Sequence, residues 1–179
     1  MGDQRTLAKT DQPRIYVACL AAYNSGYLHG AWINAARDVW EIWQDIRDML
    51  AASPIEGAEE HAIHDYEGFG EVRISEYADI ERVAEIAAFV VEHGALGTAL
   101  LSYFSDDLDE ARAAIDDCYL GQHASLSDYL QEVTEESIEI PESLRPYIDW
   151  ASMAHDAELG GEIFVIEIGH EQAHVFAAR

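Results

Sequence analysis

Eight histidines and 35 acidic side chains are the groups in this sequence that could bind a metal or move a proton. The closest-set candidates are His61 and His64 with Asp65, and His170 with His174. On a regular strand, residues three apart point to opposite faces, so His61 and His64 cannot chelate one ion together unless the strand is irregular there. His170 and His174 share parity but flank a predicted turn. Neither an HExxH pattern nor a cysteine pair at zinc-ligand spacing accompanies them, since the two cysteines, Cys19 and Cys118, stand far apart. Carboxylates are too abundant here for any one pair to signal general acid/base work. No glycine-rich phosphate loop or nucleophile elbow occurs. The expectation is a non-enzyme that needs neither metal nor cofactor. A metal hydrolase using the His and Asp residues is the reading it displaces.

What the carboxylates do offer is charge. The 35 Asp and Glu face only 10 Lys and Arg, for a formal net charge of -25. Apart from Asp3 and Asp11, every acid lies between Asp38 and Glu171, where Arg47, Arg73, Arg82, Arg112 and Arg145 supply all the Lys and Arg charge. The lone lysine, Lys9, sits with Arg5 and Arg14 near the start. Such a field repels nucleic acid and anionic membranes, attracts basic partners, and works against the compact state. Three explanations compete for it: general solubility, adaptation to high salt, and an anionic surface that fits a cationic groove. Duplex DNA carries about one charge per 1.7 Å of axis, so the net charge matches roughly 40 Å of duplex.

Hydrophobic residues make up 49% of the chain and aromatics 10%, too much apolar material for a disordered acidic tail. A packed α+β fold is expected. Residues RIYVACL from Arg14 and HGAWINA from His29 read as two strands around an Asn24-Ser25-Gly26 turn. From Asp38 to Ala52 the apolar period becomes helical, with Trp40 and Trp43 expected on the buried face until Ser53-Pro54 stops it. HAIHDYEGFG from His61 is a third strand. The middle is helical: one apolar run ends at Gly94 as C-cap, ALGTALLSYF continues as a second, and Ser105 or Asp106 caps a third through Ala114. Then come a short helix capped by Ser125 or Ser127 and a longer one opened by Pro141. EIFVIEI and HVFAA close the chain as a hairpin. The domain expectation is a ββαβ unit over 1–77, a helical middle domain over 78–116 and an α+β domain over 117–179. With no signal-type segment and no run of 18 continuous apolar residues, a cytoplasmic location with both cysteines as free thiols is expected.

The acids have an order of their own. Asp38, Glu41, Asp45 and Asp48 step by three and four along one helix stripe, about 5 Å apart in axial rise, and only Arg47 interrupts them. Further unpaired acids are expected at Glu56, Glu59, Glu60, Glu76, Asp79, Asp106, Asp107, Asp109, Glu110, Asp116, Asp117, Glu132, Glu135, Glu136 and Glu139.

The run RIYVACLAAYNSGYLHGAWINA, from Arg14, carries Tyr23, Asn24, Gly26, Gly30, Ala31 and Trp32 in an order that closely resembles the opening of the ArdA family of antirestriction proteins. EEHAIHDYEGFG from Glu59 and IPESLRPYIDWASMAHDAEL from Ile140 resemble two further blocks of that family, in order. The basic N-terminal residues and the HVFAAR tail depart from it. The resemblance implies an elongated three-domain α+β protein that dimerises through its C-terminal domain, with acidic side chains following the phosphate path of bent B-form DNA. It implies as partner the methyltransferase-specificity core of type I restriction-modification enzymes, with neither nucleic acid nor membrane bound. Tyr23, Asn24, Gly26 and Trp32 read as turn and core positions rather than binding residues. The competing expectation is an acidic interaction module or inhibitor for some other basic protein.

Overall fold

The computed structural model describes residues 12–178, so the basic segment around Arg5 and Lys9 and the last residue of the HVFAAR tail lie outside the described residues. The fold is α+β, and the chain gathers into two compact units that part between Ser102 and Tyr103.

The first unit is built on a three-stranded antiparallel sheet in the order β2-β1-β3, with β1 at Arg14–Cys19, β2 at Gly30–Asn34 and β3 at His61–Glu67. Helix α1 (Leu20–Asn24) leads from β1 into the predicted Asn24–Gly26 turn. Helix α2 (Val39–Ala51) packs on β1 and β2. Its buried residues are Ile42, Ile46 and Met49, and these, with Ile15, Val17 and Ile33 of the sheet, form the core. The tryptophans expected there are not in it. Trp40 is 66% exposed, and Trp43, at the edge of the buried stripe, donates its indole N–H to Glu81 at 3.2 Å. The three-and-four spacing is satisfied by the β-branched and Met positions alone, leaving the bulkier rings at the margin.

Between Tyr16 and Val17 the β1–β3 register slips: Tyr16 faces Asp65 and Val17 faces Ile63, so His64 bulges out of the ladder. Neighbouring Ala62 and Ile63 are both buried, as are Ala18 and Val17 opposite them, so both faces of the sheet are covered there.

Helix α3 (Ile80–Tyr103) is long and apolar enough, by length and composition, to cross a membrane, although the sequence has no continuous apolar run of that length. Its apolar positions are spent on packing instead: Ile80, Val83, Ile86, Phe89, Leu100 and Leu101 are all buried. The helix is two segments joined at Gly94, whose φ of 56° and ψ of -132° belong to no helix. The break falls at the predicted C-cap, with the second helix following as expected. Gly70 lies against the second segment with φ 63°, where an added Cβ would come 2.9 Å from the Thr98 side chain.

Near the start of the second unit Ser105 and Asp106 adopt φ of 55° and 67°. That left-handed backbone cannot open a helix, so neither is the cap; Asp107 is, accepting from the backbone N–H of Asp109 and Glu110. Helix α4 (Leu108–Ala113) runs into one π-helical turn, Ala114–Cys118, and then into strand β4, Tyr119–His123, where the sequence reading had no strand. The stretch YLGQH lacks apolar alternation and is held by pairing with β6. Ser125 caps α5 (Leu126–Ser137). The helix expected from Pro141 does not form. Residues 141–144 turn, Arg145–Tyr147 makes one 3₁₀ turn, and α6 starts only at Trp150–Leu159 under the Asp149 cap. Pro146 has no N–H to donate to the carbonyl four residues back, so an α-helix begun at Pro141 would be broken there. The hairpin β5 (Ile163–Gly169) and β6 (Gln172–Ala177) forms as expected, in the sheet order β4-β6-β5.

β6 is buried on both faces. Val175 packs with Leu126 and Ala154, while Phe176 on the opposite face stacks on Phe164 at 4.9 Å. Both cysteines are free and buried.

The Gly94 backbone is in a region that side-chain-bearing residues avoid, although a Cβ there would meet nothing within 4 Å. Gly94→Ala is therefore expected to cost roughly 1–3 kcal/mol through backbone strain alone. Urea unfolding measures it, and an unchanged midpoint would mean that α3 straightens without cost.

Candidate functional site

The surface carries the anionic groups that the sequence placed there. In the first unit Asp38, Asp48, Glu56, Glu59, Glu60, Glu76 and Asp79 are exposed, while Glu41 and Asp45 are half-buried. In the second, Asp107, Asp109, Glu110, Asp116, Asp117, Glu132, Glu136 and Glu139 are exposed, and Asp106 and Glu135 half-buried. None is buried. The same helical logic finds acids that the sequence reading passed over: Glu81, Glu85 and Glu92 share an exposed stripe of α3, and Asp156 and Glu158 are exposed on α6. Their signal was visible as the polar positions between the apolar ones.

The stripe on α2 is less bare than its spacing implied. Arg37, which precedes the helix, reaches Asp45 with its guanidinium, while Arg47 bonds the Gln44 amide at 2.9 Å rather than an acid. Glu135 is paired too, with Arg145 at 3.2 Å. Glu76 and Glu132 lie 3.7 and 3.3 Å from His64 and His123. Asp109 and Asp117 are not free either. Exposed ion pairs of this kind contribute about 0–1 kcal/mol each, and with 35 acids against 10 Lys and Arg they cannot neutralise the surface.

Several acids stand where a negative charge is locally favoured. Asp79, Asp107 and Asp149 accept backbone N–H bonds at helix starts. Hydrogen bonding with the Glu81 side chain and then its backbone N–H holds the Asp79 carboxyl below its ordinary range. The Ser152 backbone N–H and then its hydroxyl do the same for Asp149. The negative charge of Asp79 and Asp149 is thus favoured at the starts of their helices.

The histidines are held by separate neighbours. His61 meets the edge of Trp43, His64 meets Tyr23 and Glu76, and His174 stacks beside Tyr119. Among the described residues no group of three His, Cys, Asp or Glu is placed to hold a metal ion. Burial lowers the pKa of His61 and His174, and raises that of Tyr119. Tyr119 Oη and His174 Nδ1 share a 2.8 Å hydrogen bond, while the buried Nε2 has no partner.

The YNSG turn forms as expected, with Gly26 at φ 85°. Tyr23 and Trp32 do not enter the core: Tyr23 is 54% exposed, and Trp32 lies under the Arg14 guanidinium, 4.7 Å from its ring centroid. The family model described as antirestriction protein (ArdA) matches residues 15–172, spanning both units and all three sequence blocks. The chain belongs to the ArdA family. Comparison with curated proteins gives no match. Family membership makes antirestriction the activity, and restriction enzymes the class of protein acted against.

The histidine shift has a pH signature. His174 has a folded pKa below its ordinary 6.5, so the unfolded chain takes up the proton first and stability is lost as pH falls through about 6.5. His174→Leu is expected to flatten the fall in urea midpoint between pH 7.5 and 5.5. A variant that keeps the whole slope would remove His174 as its source.

Proposed function

We propose that this chain inhibits type I restriction-modification enzymes by presenting its carboxylates where DNA phosphates would lie in the groove of the methyltransferase-specificity core. The observation that carries this reading is the exposed acidic surface on both units, with a net charge of -25 that the available arginines cannot pair off. A groove built to receive phosphates gains from such a surface the Coulomb attraction and counterion release that DNA gives it. Occupancy of the groove replaces catalysis, so no cofactor enters. The surroundings of this function are part of the same proposal: a cytoplasmic homodimer, joined through the region 117–179, carried by a mobile element, with 1–77 and 78–116 as the two preceding domains.

The test is competition. The chain is titrated into a type I enzyme with labelled target DNA at low and moderate salt. Displacement near one equivalent, weakening as salt rises, is the expected result. A folded chain that displaces nothing at either salt leaves the acidic surface to some other basic protein. Because the attraction is shared among many groups, Asp48→Asn is expected to change the inhibitory concentration less than about threefold, on the scale of one exposed charge. Converting Asp38, Asp48, Glu56, Glu59, Glu60 and Glu76 together to amides is expected to raise it more than about tenfold by the same scale. Loss of inhibition from Asp48→Asn alone would contradict a distributed surface.

A further inference from the structure

The second unit contains a cavity of about 240 Å³ that the acidic surface does not account for. Tyr103, Phe104, Phe164, Glu110 and Cys118 line it, together with small alanine side chains. Its wall is aromatic and ordered. Tyr103 and Phe164 stack at 4.7 Å with 10° between their planes, Phe164 continues onto Phe176, and Phe104 stands edge-on to both Tyr103 and Phe164. The π-helical turn Ala114–Cys118 supplies two of the lining positions, and such turns widen a helix by one residue and recur at functional sites. Glu110 is exposed at this cavity and its carboxylate has no partner among the described residues.

The lining selects its occupant. The volume is below the roughly 300–1,000 Å³ of cofactor and ligand pockets, which fits one side chain rather than a cofactor. An apolar occupant would strip water from the Glu110 carboxylate without replacing its hydrogen bonds. An anion would meet Glu110 and, close by in sequence, Asp106, Asp107 and Asp109. A cation satisfies both halves of the site, because electron-rich ring faces attract it and the carboxylate neutralises it. A planar guanidinium can stack and bond a carboxylate at once, which an ammonium cannot.

We propose that this cavity binds the guanidinium of an arginine presented by the basic protein partner, set against the aromatic lining of Tyr103 and Phe104 and paired with Glu110. The inference rests on the reading that the partner is a cationic protein, and adds to it a discrete anchor inside a distributed field. Such an anchor would survive salt better than the exposed acids, since the stacking part is not screened.

The probe is N-acetyl-arginine amide, titrated into the full chain while the Phe164 and Ala177 resonances are followed by NMR. Because Arg179 follows the lining residue Ala178 in sequence, the titration is repeated on Arg179→Ala. Saturable shifts are expected in at least the Arg179→Ala chain. Glu110→Gln, checked for an otherwise unchanged spectrum, is expected to weaken them roughly fivefold, about 1 kcal/mol. The neutral citrulline analogue is expected to give none. No saturable shift with either chain, equal shifts from the citrulline or lysine analogue, or an unaltered response in Glu110→Gln would each overturn the proposal. DNA displacement without probe binding would sink this inference alone, and probe binding without displacement would sink the mimicry reading alone.

Discussion

Like-charge repulsion is the constraint under which this chain folds. A net charge of -25 on 179 residues works against every compact arrangement. Fully buried side chains such as Ile15, Ile42, Ile46, Leu100, Leu108 and Phe176 oppose it, each contributing on the order of 1.5–3 kcal/mol. Surface ion pairs contribute far less and are few. The division of labour follows: apolar packing holds each unit, and the carboxylates are kept where water solvates them.

Helix dipoles relieve part of the repulsion. Every helix from α2 to α6 has an acid at its cap or in its first turn, where N–H groups point outward and negative charge is stabilised. The opposite ends have little to match, since only α4 carries a basic residue in its last turn. An acid-rich, lysine-poor chain uses the half of the dipole effect that suits its composition.

The parts legible in the sequence are those set by local chemistry. β1, β2, β3 and the final hairpin are marked by β-branched runs and turn residues, and the α3 break by Gly94. What escaped depends on distant partners. β4 exists because β6 binds it, and Arg37–Asp45 and Arg145–Glu135 close over eight and ten residues. A periodicity that treats all apolar residues alike also cannot tell Ile46 from Trp40, although a ring at the edge of the stripe is too large to tuck under the helix. The acidic surface was readable because exposure is the default for a carboxylate. The aromatic cavity was not, since Tyr103, Phe164 and Cys118 meet only once the second unit has folded.

Among the described residues β2 and β3 are the edges of one three-stranded sheet and β4 and β5 those of the other, and only a backbone bond from the Ile63 N–H to the Glu76 carbonyl covers part of β3. An open edge is a row of unpaired peptide groups that another chain can extend. This sequence has a single lysine with which to guard such edges. Colloidal repulsion guards them instead: copies that approach edge to edge must first bring two strongly negative bodies within a Debye length. The protection is collective and conditional, fading as salt shortens that length and vanishing near the isoelectric point of about 4.3. The charge that works against the fold thus also keeps its own copies from becoming strands of one another.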